Sequence, residues 1–168
     1  MKGAAAFAAI LAAIALQTTL SSLMLQRGTV LDLVLIVVVY VAIKSGPVTG
    51  VLAGTVAGLI QDALSSGILG IGGLAKTVVG FFAGLLGAQF IVTAPLPRFL
   101  LLLVATVLHA AIFMGIYTVL NLRQFSAPYP QIATQALGNA FVGVVGFQLV
   151  EWFPGFVDRR RAGRSLKR

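Results

Sequence analysis

The sequence is poor in the side chains on which most enzymes and disulfide-bonded proteins depend. Of its 168 residues none is cysteine, one is histidine and four are acidic. The lack of cysteine excludes disulfides and thiolate chemistry, and a single histidine excludes the usual zinc sites. Charged residues form only 10% of the chain, against about 25% in ordinary soluble domains. These shortages argue against a soluble enzyme, and we expect no cofactor.

Apolar residues are abundant instead, at 59% of the chain. A membrane-spanning helix needs about 20 mostly apolar residues, and glycine, proline and charge mark the breaks between apolar runs. We therefore predict an all-α integral membrane protein, a compact six-helix bundle. The transmembrane domain is expected over residues 1–157 and a basic cytoplasmic tail over 158–168. The predicted spans lie near residues 3–25, 30–43, 47–64, 69–92, 99–120 and 131–153.

The second predicted span is too short to cross a bilayer unaided. Residues 30–43 would make a helix of about 21 Å, whereas the hydrocarbon layer is about 30 Å thick. Three explanations remain open at this point. The helix begins earlier, it sits in a thinned region of the membrane, or it lies behind its neighbours.

Positive charge predicts the orientation of the chain. Six spans place both termini on one side, together with Lys2, Lys44, Arg98 and six tail cations. Arg27 and Arg123 face the other side, and this bias places both termini in the cytoplasm. The net charge of +8 is better explained by topology and anionic lipid than by nucleic acid. The tail cations that we expect to contact lipid or a cytoplasmic partner are Arg159, Arg160, Arg161, Arg164, Lys167 and Arg168.

Small residues recur every four positions on the third and fourth predicted spans. Such rows let two helix backbones approach closely, which matters in lipid because no hydrophobic effect drives helices together there. The rows could pack within the bundle or could receive the helix of a partner. The glycines predicted to pack are Gly46, Gly50, Gly54 and Gly58 on the third span, and Gly72, Gly80 and Gly84 on the fourth.

Lys76 is expected inside a predicted span, where an unpaired charge costs about 3 kcal/mol or more. Asp32 and Asp62 lie at the span ends nearest to it in the predicted topology, so we expect Lys76 to pair with one or both. The cluster could be a structural pair, a ligand or partner contact, or part of a proton or ion relay. No catalytic constellation is visible in the sequence.

Four further polar residues are expected to lie within the apolar spans. In lipid such side chains most often hydrogen bond between helices, so we predict interhelical contacts rather than metal binding or catalysis. These residues are His109, Gln135, Asn139 and Gln148.

The order of several short motifs resembles the rod shape-determining protein MreD family over nearly the whole chain. The motifs occur at the ends of the predicted spans and in the glycine-rich segments. They are Gln17-Thr18-Thr19-Leu20, Asp32-Leu33-Val34-Leu35-Ile36, Tyr40 through Lys44-Ser45-Gly46-Pro47, Gly58-Leu59-Ile60-Gln61-Asp62, then Gly67, Leu69 and Gly70, the stretch Gly80 to Gly84, and Gly138-Asn139-Ala140.

The resemblance implies a non-enzymatic scaffold of the bacterial elongation machinery in the plasma membrane. Members of the family associate with MreC and connect the MreB filament to the peptidoglycan polymerase and transpeptidase, directly or through MreC. The resemblance also implies a fold similar to the substrate-binding membrane subunits of energy-coupling-factor transporters. A small-molecule-binding subunit of that kind is the alternative function, and it would require an outward-facing pocket lined by polar or aromatic side chains.

Overall fold

A computed structural model describes residues 3–25, 31–65, 68–89, 94–122 and 129–165, with side chains described up to residue 20 in the first range and up to 152 in the last. All regular structure in these ranges is helical, and five of the six helices are long and apolar enough to cross a membrane. The prediction of an all-α integral membrane protein is confirmed. The helices are α1 Gly3–Leu25, α2 Leu33–Ser45, α3 Pro47–Leu64, α4 Ile71–Gln89, α5 Pro95–Val119 and α6 Tyr129–Ser165.

Local capping chemistry accounts for where several helices begin. Helix α2 starts after Asp32, whose side chain accepts a hydrogen bond from the backbone N–H of Leu35 at 2.9 Å, as N-cap residues do. Helix α5 begins at Pro95, four residues before the predicted start, because proline is compatible with the first helical turn. At the other end of the chain, α6 continues to Ser165 and so crosses the expected boundary between the transmembrane domain, residues 1–157, and the tail, residues 158–168.

The short helix α2 lies at the centre of the bundle. It contacts each of the other five helices, and Val34, Val38, Val39, Val41 and Ala42 have no exposed surface. A helix that is apolar on every side is stable only when it is surrounded. Its 13 residues extend about 20 Å, so of the three explanations for its length, burial behind neighbours is the one observed.

Helices α3 and α4 pack backbone against backbone. A Cβ atom on Gly50 would collide with the carbonyl oxygen of Gly80, and one on Gly54 would collide with the carbonyl group of Lys76. The side chain of Thr55 also shares a hydrogen bond of 2.7 Å with that of Thr77 across the same interface. The glycine rows therefore face one another within this chain, which permits the close approach that their spacing indicates.

The remaining glycines of the two rows divide by position. Gly58 meets the backbone of Gly73, and Gly84 meets Pro47. Gly46 packs through its backbone: its carbonyl carbon lies 2.8 Å from the would-be Cβ of Gly84, whereas its own would-be Cβ meets no described atom within 4 Å, and its φ is +88°. Glycine adopts this positive φ readily, and Gly46 therefore allows the chain to turn between α2 and α3. A Cβ on Gly72 would meet the carboxylate of Asp62 rather than a helix backbone.

Candidate functional site

A buried ion pair joins the start of α2 to the second turn of α4. The Nζ of Lys76 lies 2.7 Å from Oδ2 of Asp32, and the two residues are only 3% and 4% exposed. Asp32 holds this place because it is also the N-cap of α2. Each charge offsets the cost of burying the other, since either one alone would be expensive inside a membrane.

His109 of α5 lies beside this pair. Its Nε2 is 3.4 Å from Nζ of Lys76 and 3.6 Å from Oδ2 of Asp32. A lysine ammonium has only donors, so contact with Lys76 requires Nε2 to accept and places the ring proton on Nδ1. That Nδ1 atom is buried and has no hydrogen-bond partner among the described residues.

Asn139 connects α6 to the same cluster. Its Oδ1 accepts from the backbone N–H of Asp32 at 2.9 Å, and its Nδ2 donates to the hydroxyl of Thr106 at 3.2 Å. Both Asn139 and Thr106 are completely buried. Asp32, Lys76, Thr106, His109 and Asn139, which we call the polar network, therefore tie together helices α2, α4, α5 and α6.

Asp62 forms its contacts with the start of α4 instead of with Lys76. Its Oδ2 accepts from the backbone N–H groups of Gly70 and Gly73 at 2.9 and 3.1 Å. Unpaired N–H groups at a helix start attract a carboxylate, so the first turn of α4 stabilises the negative charge of Asp62. Of the two carboxylates expected near Lys76, Asp32 makes the salt bridge.

A cavity of about 600 Å³ adjoins the polar network. Its deep side is formed by Asp32, Lys76 and His109, which are buried, and its rim includes Ser65 and Ile68, which are exposed. The other lining residues come from the end of α3, the first turn of α4, α5 and the start of α6. They are Gln61, Asp62, Gly72, Ala110, Phe113, Met114, Tyr117 and Gln135.

A second charged cluster lies at the opposite end of the bundle. Glu151 of α6 accepts from Lys44 of α2 at 2.7 Å and from Arg98 of α5 at 2.8 Å. Arg98 is 2% exposed and stacks over the ring of Phe147 at 5.2 Å from its centroid, a favourable cation–π geometry. Between the two clusters the buried face of α2 is apolar, which does not favour a relay of titratable groups.

The other predicted polar contacts have mixed outcomes. Gln135 lines the cavity. Gln148 requires a correction, because it lies on the exposed face of α6, where its helical position points away from the bundle. The loop cations Arg27 and Arg123 lie outside the described residues, and so do the side chains of the tail cations Arg159, Arg160, Arg161, Arg164, Lys167 and Arg168.

Three contributors to these sites are not among the predicted site residues. They are Gln61, Thr106 and Glu151. A usable signal existed for Thr106, which is three residues before His109 and so on the same face of α5. The pairing of Glu151 with Lys44, 107 residues earlier in the chain, has no local signal.

These features define a polytopic helical membrane protein whose buried charges are neutralised by contacts within the described part of the chain. The family model for the rod shape-determining protein MreD matches residues 4–153, and the chain belongs to this family. It is therefore a multi-pass membrane protein with a role in rod shape determination. No curated protein matches the chain, and no solved structure matches it.

Proposed function

We propose that this protein is a non-catalytic scaffold of the bacterial elongation complex, in which it binds the membrane helix of MreC. Through MreC it would help to couple the MreB cytoskeleton, the polymerase and the transpeptidase. The observation that carries the proposal is the family match over residues 4–153. In addition, the buried charged residues Asp32, Lys76 and Arg98 all have partners within the chain, an arrangement suited to holding a fixed shape.

Binding to MreC can be tested by photocrosslinking from single positions on the outer faces of different helices. Ala8 of α1, Leu52 of α3, Val104 of α5 and Val145 of α6 are all exposed. A photoreactive residue at each position should crosslink MreC from one face and not from the others. The same four variants in cells that lack MreC are the matched negative control. Absence of an MreC crosslink from all four faces in cells that express both proteins would contradict the proposal.

We also propose that both termini lie in the cytoplasm, so that the Glu151 cluster faces inward and the cavity opens outward. Lys44 and Arg98 at the Glu151 end support this orientation. Because the chain has no cysteine, single cysteines can be labelled without background. Ser65→Cys and Val48→Cys lie at opposite ends of α3, and a membrane-impermeant maleimide added to intact cells should label only Ser65→Cys. Labelling of Val48→Cys alone would show that the protein has the opposite orientation and would contradict the proposal.

The basic tail is proposed to contact anionic lipid or an acidic surface of a cytoplasmic partner, with each cation near the membrane contributing about 1 kcal/mol. Changing Arg164, Lys167 and Arg168 to Ser leaves three arginines to hold the topology. A working contact predicts correctly inserted protein with rounded cells or weaker filament recruitment. A tail that acts only in topology predicts normal cell shape and recruitment.

A second candidate function is a small-molecule-binding subunit of an energy-coupling-factor transporter. The cavity favours it, because polar and aromatic side chains line the pocket that such a subunit requires. The two functions predict different partners. When this protein is purified from cells in a mild detergent, MreC should copurify if the protein is a scaffold, and a transporter ATPase should copurify if it is a transporter subunit.

A further inference from the structure

We propose that the cavity is a binding site for a primary ammonium group, carried by a small amine or by a lipid headgroup. The inference rests on polar atoms without partners, on the charge of the lining and on an aromatic wall. It does not depend on the scaffold function. The volume of about 600 Å³ lies within the range of about 300–1,000 Å³ typical of small-molecule sites.

The cavity is lined by buried polar atoms that have no partner among the described residues. Oε1 of Gln61 and Nδ1 of His109 are both in this state, and both residues line the cavity. Buried polar groups in native structures are almost always hydrogen bonded, and leaving one unpaired costs about 1–3 kcal/mol. An occupant of the cavity that donates to Gln61 and accepts from His109 would remove both penalties.

The charge of the lining favours a cation. Asp32 and Lys76 neutralise each other at 2.7 Å, whereas the hydrogen bonds of Asp62 with described residues come from the backbone N–H groups of Gly70 and Gly73. Oδ2 makes both of those bonds, so Oδ1 has no hydrogen-bond partner among the described residues. Lys76 is the one cationic side chain in the lining as described, and the net formal charge is therefore −1. The carboxylate of Asp62 would repel an anionic ligand.

The part of the cavity lining that α5 supplies is largely aromatic. Phe113 and Tyr117 of α5 lie with ring centroids 4.8 Å apart, and the ring of His109 is 6.0 Å from that of Phe113. Aromatic faces attract cations. An ammonium has three donors and no acceptor, which suits the acceptor oxygens of Gln61 and Asp62 in the same lining. The neighbouring oxygen of an ethanolamine unit could accept from Nδ1 of His109.

Three small probes that differ in charge test the ligand class on the full chain in phosphatidylglycerol nanodiscs. Ethanolamine is cationic, ethylene glycol is neutral and glycolate is anionic, while their sizes are similar. We expect ethanolamine alone to raise the unfolding midpoint, saturably and by about 2–4 °C. The same shift with all three probes, a larger shift with glycolate, or no shift with any probe and no lipid effect would overturn the proposal.

Two variants locate the effect in the cavity. Asp62→Asn keeps an oxygen that can accept from Gly70 and Gly73 but removes the charge, and Gln61→Leu removes the unpartnered acceptor. Each should weaken ethanolamine binding at least about tenfold, a loss of about 1.4 kcal/mol. Gln148→Leu makes the same chemical change on the exposed face of α6 and should leave binding intact. Unchanged binding in Gln61→Leu and Asp62→Asn would overturn the assignment.

A comparison of two lipids distinguishes the two sources of the ammonium group. Nanodiscs containing phosphatidylethanolamine are compared with nanodiscs containing phosphatidylcholine, whose trimethylated nitrogen has no N–H donor. A higher midpoint in phosphatidylethanolamine, with little further effect of ethanolamine, assigns the site to a headgroup. Equal midpoints in the two bilayers, with the same ethanolamine shift in both, assign it to a soluble amine.

Discussion

Removing one member of the Asp32–Lys76 pair should destabilise the bundle more than removing both. Asp32→Asn keeps the size of the side chain and an oxygen for the Leu35 cap, but it leaves the ammonium of Lys76 without a counter-ion. Lys76→Met keeps a long flexible chain and leaves the carboxylate of Asp32 without its cation. The two side chains are only 6% and 3% exposed, so each single variant should lose about 3–5 kcal/mol of unfolding free energy.

The double variant Asp32→Asn/Lys76→Met carries no buried charge at this position. Replacing a whole buried ion pair is often nearly neutral, so we expect the double variant to lie within about 2 kcal/mol of the unchanged protein. The resulting coupling energy should exceed about 3 kcal/mol, well above the range for independent sites. The unfolding free energies can be measured by titration with SDS in mixed micelles, followed by circular dichroism.

Lys44→Met is the matched control for this cycle. Lys44 also pairs with a carboxylate at 2.7 Å, but both of those side chains are more than a third exposed, so the loss should be less than about 1 kcal/mol. Additive losses in the Asp32 and Lys76 cycle would refute the reasoning. Such a result would mean that the two charges are solvated separately and do not stabilise each other.

Three further substitutions test the packing and the two polar clusters by the same measurement. Gly54→Leu should lower the unfolding free energy by about 3 kcal/mol or more, because the new side chain must separate two backbones. The control Gly115→Leu meets open space and should be neutral. Equal effects of the two variants would place the glycine row outside the interface. Glu151→Gln should cost more than Lys44→Met, about 2 kcal/mol, because solvent screens the carboxylate but the change leaves the guanidinium of Arg98, which is 2% exposed, without this charged partner; a loss no larger than that of Lys44→Met would contradict this. Asn139→Leu should cost about 1–3 kcal/mol, because the buried backbone N–H of Asp32 loses its acceptor, while the hydroxyl of Thr106 loses a donor but still donates to the carbonyl oxygen of Leu102; unchanged stability would show that Asn139 does not hold the helices together.

The helical, membrane-spanning character of the chain could be predicted from the sequence because the causes are local. Apolar runs and the breaks at Gly46 and Pro47 lie within a few residues of the structure they determine. Helix starts are predicted less well. The rule that proline breaks a helix predicts a start near residue 99, whereas α5 begins at Pro95 because proline fits the first turn of a helix.

The sequence also indicated that the buried charge of Lys76 needs a counter-ion, since the cost of burying a charge depends only on its environment. It did not determine which carboxylate supplies that charge. Asp32 and Asp62 were equivalent candidates, and the tertiary structure separated them because the open N–H groups of Gly70 and Gly73 at the start of α4 hold Asp62.

The cavity and the Glu151 cluster were decided by tertiary structure alone. Glu151 meets Lys44 across 107 residues of chain and Arg98 across 53. The cavity joins residues from four helices with Asp32, the N-cap of α2. Residue type and spacing along one helix predict which side chains share a face. They cannot specify which faces of different helices meet, because that depends on how all six helices pack together around the short helix α2.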